Sequence, residues 1–172
     1  DYAGHWSTTS GGTIFHTTIP TINDDVYFDA NSFIAANQTV TLDNTFIYCK
    51  NMDWTGVLNS PSINGTNNTL YLYGSITLIS AMDWNVQRVD LSSALTGISI
   101  ASGGQPLDTL YIKGAGTFSL ADDLVAKSVF VENGSFATAG FTVTVNKFIA
   151  GITGATTNVV LGTSTINISD VF

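Results

Sequence analysis

Hydrophobic and polar residues alternate along this chain in short runs, and the runs come in pairs joined at Gly or Asn. The clearest pair is Thr69-Leu70-Tyr71-Leu72-Tyr73-Gly74-Ser75-Ile76-Thr77-Leu78. Alternation of period two is the mark of a strand with one buried face, here Leu70, Leu72, Ile76 and Leu78, with Tyr71, Tyr73 and Thr77 facing the other way. Thirty positions earlier, Thr39-Val40-Thr41-Leu42-Asp43-Asn44-Thr45-Phe46-Ile47-Tyr48 repeats the pattern, and the echo continues from Met52-Asp53-Trp54 to Met82-Asp83-Trp84. Related pairs follow at Thr109–Leu120, Ser128–Phe136, Thr142–Phe148 and Asn158–Ile168. Leu110 and Val129 stand 19 positions apart, Val129 and Val159 again thirty.

Gly and Asn tolerate the left-handed backbone of a sharp corner. A two-strand unit cannot bury its apolar face alone, whereas stacked equivalent units bury a continuous core. The spacing therefore predicts an all-β chain folded as a right-handed parallel β-helix, or solenoid, with coils of about twenty to thirty residues. The alternative is an antiparallel β-sandwich in which Gly74-Ser75 and Asn133-Gly134 are hairpin turns. Recurrence of whole blocks favours the solenoid, because a sandwich does not require its hairpins to resemble one another. Residues 1–36 read as an N-terminal cap and 37–172 as coils. Residues 55–68, rich in Gly, Asn, Ser and Pro, read as a loop, and Gly103-Gly104-Gln105-Pro106 as a turn.

Composition narrows function. Thirteen acidic against five basic residues leave a net charge of −8, which disfavours nucleic acid and anionic membrane surfaces. No stretch is long and apolar enough for a membrane span, so no direct membrane insertion is expected. Scarce Lys with abundant Thr, Asn and Gly suggests an extracellular protein. Asp1 cannot be an initiating residue and Val171-Phe172 ends within an apolar pattern, so a section of a longer polypeptide is expected. Cys49 is the single cysteine; on an apolar strand it reads as a buried, inert thiol.

Candidate chemistry is sparse. His5 and His16 have no metal-ligand spacing. Arg88 is the only arginine, and polysaccharide cleavage needs clustered carboxylates with a basic partner, so an enzyme is not expected and a polysaccharide-degrading one is the remotest reading. Asn23, Asp24 and Asp25 form the densest set of oxygen donors and are calcium candidates; the preferred reading is an Asx turn opening the next strand, so no cofactor is expected. Asp122-Asp123 poses the same choice. Asp53-Trp54 and Asp83-Trp84 are sugar-binding candidates if exposed on adjacent coils, and core-filling corners if buried. Asp108-Thr109-Leu110 fits a short O-glycosylation pattern at Thr109.

Two segments are more specific. Pro20-Thr21-Ile22-Asn23-Asp24-Asp25-Val26-Tyr27-Phe28-Asp29-Ala30-Asn31-Ser32-Phe33 and Tyr48-Cys49-Lys50-Asn51-Met52-Asp53-Trp54-Thr55-Gly56 resemble segments that open modules in long, repetitive surface proteins of Bacteroidetes. The resemblance extends over nearly the whole chain. It implies a β-helical module of a large cell-surface adhesin, exported by the type IX system and displayed on the outer membrane. Its implied roles are adhesion or gliding motility and rigid extension, with a carbohydrate-binding module as the alternative. Its implied partners are other domains of the same polypeptide, surface glycans, or the secretion and gliding machinery. It implies no catalytic residues.

Overall fold

A computed structural model describes residues 3–151 and 154–170. The chain is a parallel β-solenoid of about six turns. One wall is a seven-stranded sheet, built in order from β1 (Val26–Tyr27), β4 (Met52–Asp53), β6 (Ile76–Thr77), β8 (Ile98–Ala101), β10 (Thr117–Leu120), β12 (Gly134–Ala137) and β14 (Thr157–Val160). The second wall runs through β2 (Thr39–Thr41), β5 (Ser62–Leu72), β7 (Asp83–Leu91), β9 (Leu107–Ile112), β11 (Leu124–Val131), β13 (Val143–Ala150) and β15 (Ile166–Ile168), with β3 (Phe46–Cys49) pairing on β5 beside β2. Every pairing between these strands is parallel, which rules out the sandwich. Gly74-Ser75 and Asn133-Gly134 are corners between walls, not hairpin turns.

Inward residues stack in columns. Ile47, Leu70, Val89, Leu110, Val129 and Phe148 form one column of the second wall; Cys49, Leu72, Leu91, Ile112 and Val131 form the next. Met52, Ile76, Ile100 and Leu120 face them from the first wall. Leu70, Leu72, Leu91, Leu110 and Ile112 have no exposed surface. Each fully buried aliphatic side chain contributes about 1.5–3 kcal/mol of transfer free energy, and every coil repeats the contribution.

The coil length differs from the thirty-residue echo. Along the first wall Val26 faces Met52, Met52 faces Ile76, Ile76 faces Ile100, Ile98 faces Phe118, Phe118 faces Phe136, and Phe136 faces Val159: steps of 26, 24, 24, 20, 18 and 23 positions. Stacking preserves the inward phase rather than a fixed number of residues. The 19-residue step from Leu110 to Val129 is a true register pair, whereas Val129 and Val159 lie on different walls.

One further expectation is corrected. Residues 62–68 are strand, not loop. Their Asn and Gly have low strand preference, but β2 on one side and β7 on the other supply ladder partners, and the register shifts between Gly65 and Thr69 to absorb the misfit. Within the lead-in of residues 1–36, β1 pairs with β4 and opens the first wall.

Some corners need glycine for closeness rather than for conformation. Gly74, Gly114 and Gly116 do not have positive φ. A Cβ on Gly74 would lie 2.9 Å from the Lys50 carbonyl oxygen, and one on Gly114 would press into the Ser93 carbonyl of the coil below. The predicted turn at 103–106 forms as expected, with φ of 60° at Gly103 and 78° at Gly104. Its Gln105 is buried and fully used: Nε2 donates to the carbonyls of Ile79 and Met82 at 2.9 and 2.7 Å, and Oε1 accepts from the Trp84 amide.

Candidate binding face

The residues singled out from the sequence do not assemble into one site. Trp54 is fully buried and Trp84 is 7% exposed, so neither indole offers a face to a sugar. They also do different jobs. Trp54 follows β4 on the first wall, stacks on Phe28 with ring centroids 3.9 Å apart, and lies parallel to Phe33; Trp6 packs against the same Phe28. These four rings plug one end of the core. Trp84 lies in β7 on the second wall, opposite Ile63. Asp53 and Asp83 are correspondingly on different walls and form no carboxylate pair. Asp53 accepts the Thr55 amide at 2.8 Å, an Asx turn.

The calcium candidates are engaged by protein donors. Asp24 accepts both the amide and the hydroxyl of Thr21, at 2.8 and 2.6 Å, and these bonds hold its carboxyl below the usual value of 3.8. Asp25 accepts from Asn51 Nδ2 at 2.6 Å and lies 3.8 Å from Lys50. The side chain of Asn23 is exposed, and its amide donates to the Thr21 hydroxyl. Asp122 accepts the Ser102 and Gly103 amides, and Asp123 the Thr142 amide, so both clamp turns. No group of three or more His, Cys, Asp or Glu gathers among the described residues. Thr109 lies in β9, half-buried and paired with strands on both sides, its hydroxyl 3.2 Å from Asp108. Cys49 points into the core, and burial, with the nearby charge of Asp25, pushes its thiol up to about 12.

What the structure does assemble is a face that sequence reasoning missed. On the outside of the second wall, Tyr48, Tyr71, Asp90, Tyr111 and Phe130 stand in register on five successive coils. Tyr48 stacks on Tyr71 at 5.2 Å, and Tyr111 on Phe130 at 4.5 Å with rings 9° from parallel. Asp90 fills the gap between the two aromatic pairs. Val89 and Leu91 point inward, so Asp90 points outward, yet it has no exposed surface. Arg88 and Lys113 roof it. Arg88 makes a two-pronged contact, Nε to Oδ1 at 2.5 Å and Nη2 to Oδ2 at 2.8 Å, and Lys113 Nζ reaches Oδ2 at 3.0 Å. This fork geometry is the strong form of the Arg–carboxylate bond. The Asp90 hydrogen bond raises the Arg88 guanidinium above its usual value, so it stays charged.

Both cations also sit over Tyr111, the Arg88 guanidinium carbon 3.9 Å and Lys113 Nζ 4.8 Å from the ring centroid, and Lys147 lies 5.8 Å from Phe130. A signal for this face existed in the sequence: Arg88, Thr109, Ser128 and Lys147 recur at 21, 19 and 19 positions, all at the outward phase. It was legible only once the coil length was known.

No protein-family model matches the chain, and neither does any curated protein or solved structure.

Proposed function

We propose that this chain is a rigid, non-catalytic section of a large bacterial cell-surface adhesin, displayed outside the outer membrane and acting in adhesion or gliding. The observation that carries the reading is the unbroken parallel pairing of both walls, from β1 to β14 and from β2 to β15. Strands stack about 4.8 Å apart, so six turns extend the rod by roughly 30 Å without a flexible joint. A pull along the axis is shared by the ladders of both walls, which suits an element that holds a binding surface away from a cell. The resemblance of residues 20–33 and 48–56 to modules of Bacteroidetes surface proteins supports type IX export and the surface location. The buried Trp54 and Trp84 weigh against a carbohydrate-binding module built on those rings.

The test replaces this section, within its parent polypeptide, by either a Gly/Ser linker of equal contour length or an unrelated rigid solenoid of equal axial length. Surface attachment and gliding are then scored. The expected result is loss with the flexible linker. Full attachment with the Gly/Ser linker overturns the rigid-spacer reading.

A further inference from the structure

Charge on this protein is segregated. All five basic residues lie within, or one residue beyond, strands of the second wall: Lys50 after β3, Arg88 in β7, Lys113 after β9, Lys127 in β11 and Lys147 in β13. Lys127 is matched by Asp108 at 3.6 Å and Lys50 by Asp25 at 3.8 Å. Arg88 and Lys113 share the single carboxylate of Asp90. Lys147 has no carboxylate partner among the described residues. Counting Lys50, Arg88, Lys113 and Lys147 against Asp25, Asp90 and Glu132, this face carries +1, and the remaining surface of a chain with net charge −8 therefore carries −9.

We propose that this face binds a linear, uronate-containing polysaccharide lying along the solenoid axis. The face runs along the axis as columns in register, so a linear polymer fits it better than a compact ligand. Phe46 and Tyr48, 55% and 38% exposed beside Lys50, supply apolar surface for the C–H faces of sugar rings. The half-exposed tyrosines Tyr71 and Tyr111 present hydroxyls to sugar hydroxyls. Cations stand on the first, third, fourth and sixth coils, roughly one per 5–10 Å of axis. That density suits a uronate-containing glycan. It is too low for duplex DNA, which carries a charge every ~1.7 Å, and the surrounding −9 repels such a polyanion. The inference does not depend on the rigid-spacer reading and uses none of the residues proposed from the sequence.

The test is biolayer interferometry of the full 172-residue chain against immobilised polygalacturonate, dextran and a single-stranded oligothymidylate. The expected result is binding to polygalacturonate at low salt that falls several-fold as ionic strength approaches physiological values, with no binding to dextran. Lys50→Gln with Lys147→Gln, neither touching Asp90, should lower affinity about tenfold, the order expected when two cations facing a polyanion are removed. Lys127→Gln should leave it unchanged, because Lys127 and Ser128 both fall between the inward-facing Ala126 and Val129, so the wall bends there and Lys127 lies on the other side of the bend from Phe130; circular dichroism confirms that each variant is folded. No binding to polygalacturonate, equal binding to dextran, tighter binding to the oligonucleotide, an unaffected double variant, or equal weakening by Lys127→Gln would each overturn the proposal. So would concentration-dependent self-association lost in the double variant, which would assign the face to a second copy.

Discussion

Removing the charge of Asp90 and removing the charges that cover it should have unequal consequences. Asp90 has no exposed side-chain surface, whereas Arg88 and Lys113 keep 30% and 31% of theirs. In Asp90→Asn the two cations turn to water they already touch, and the amide oxygen still accepts from Arg88. Attraction of about 4 kcal/mol per pair at an effective dielectric near 20 is lost, but so is a desolvation penalty of several kcal/mol for the buried carboxylate. The net cost should be about 1–2 kcal/mol. In Arg88→Gln with Lys113→Gln the carboxylate stays buried without a counter-charge, which costs about 3–5 kcal/mol. For a chain of this size that is a fall in melting temperature of roughly 6–20 °C, against about 2–8 °C for Asp90→Asn. Thermal unfolding followed by far-UV circular dichroism measures both. Adding Asp90→Asn to the double variant should recover most of the loss, because it removes the stranded charge. A double variant no less stable than Asp90→Asn, or a triple variant without recovery, refutes the account of Asp90 as a buried ion held by two half-solvated cations.

Gly114→Ala should destabilise by about 1–3 kcal/mol in thermal melts, since its methyl meets a backbone carbonyl that cannot step aside. Gly104→Ala should cost about 1–2 kcal/mol for a different reason: the space around it is open but its φ is 78°. Cys49 should resist a thiol-specific disulfide reagent at pH 8 in the folded protein and react at once in denaturant, because its thiol is buried and titrates at about 12. Trp54→Ala should cost about 3–5 kcal/mol and open the aromatic plug around Phe28 and Phe33, while leaving polygalacturonate binding to the intact fraction unchanged.

The fold class was legible in the sequence because the solenoid rests on a local rule, alternation with a corner at Gly or Asn, that each coil repeats. Most of the register was not. The echo that lays Val40 over Leu70 and Met52-Asp53-Trp54 over Met82-Asp83-Trp84 is real as a pattern, but the structure pairs Val40 with Ile63 and places Trp54 and Trp84 on different walls. An inward-facing aliphatic is the same residue type on either wall, so self-similarity finds strands that obey the same rule without saying which of them touch. Corners of varying length then absorb the difference, which is why the steps along one wall run from 18 to 26 positions. The strand at 62–68 was hidden for a related reason: its stability comes from neighbours on both sides and not from its own composition.

The same lack of register concealed the Asp90 face. Read along the chain, Arg88, Asp90, Tyr111 and Lys113 are scattered polar residues between core positions. Only when Asp90 is set opposite Tyr71 on one side and Tyr111 on the other does a single carboxylate become the break in an aromatic column, and two distant cations become its roof. In a solenoid the chemistry on the outside belongs to columns. A column is invisible until the coil lengths are fixed, and here they are fixed by packing at the corners, where Gly74, Gly114 and Gly116 let one coil settle on the next.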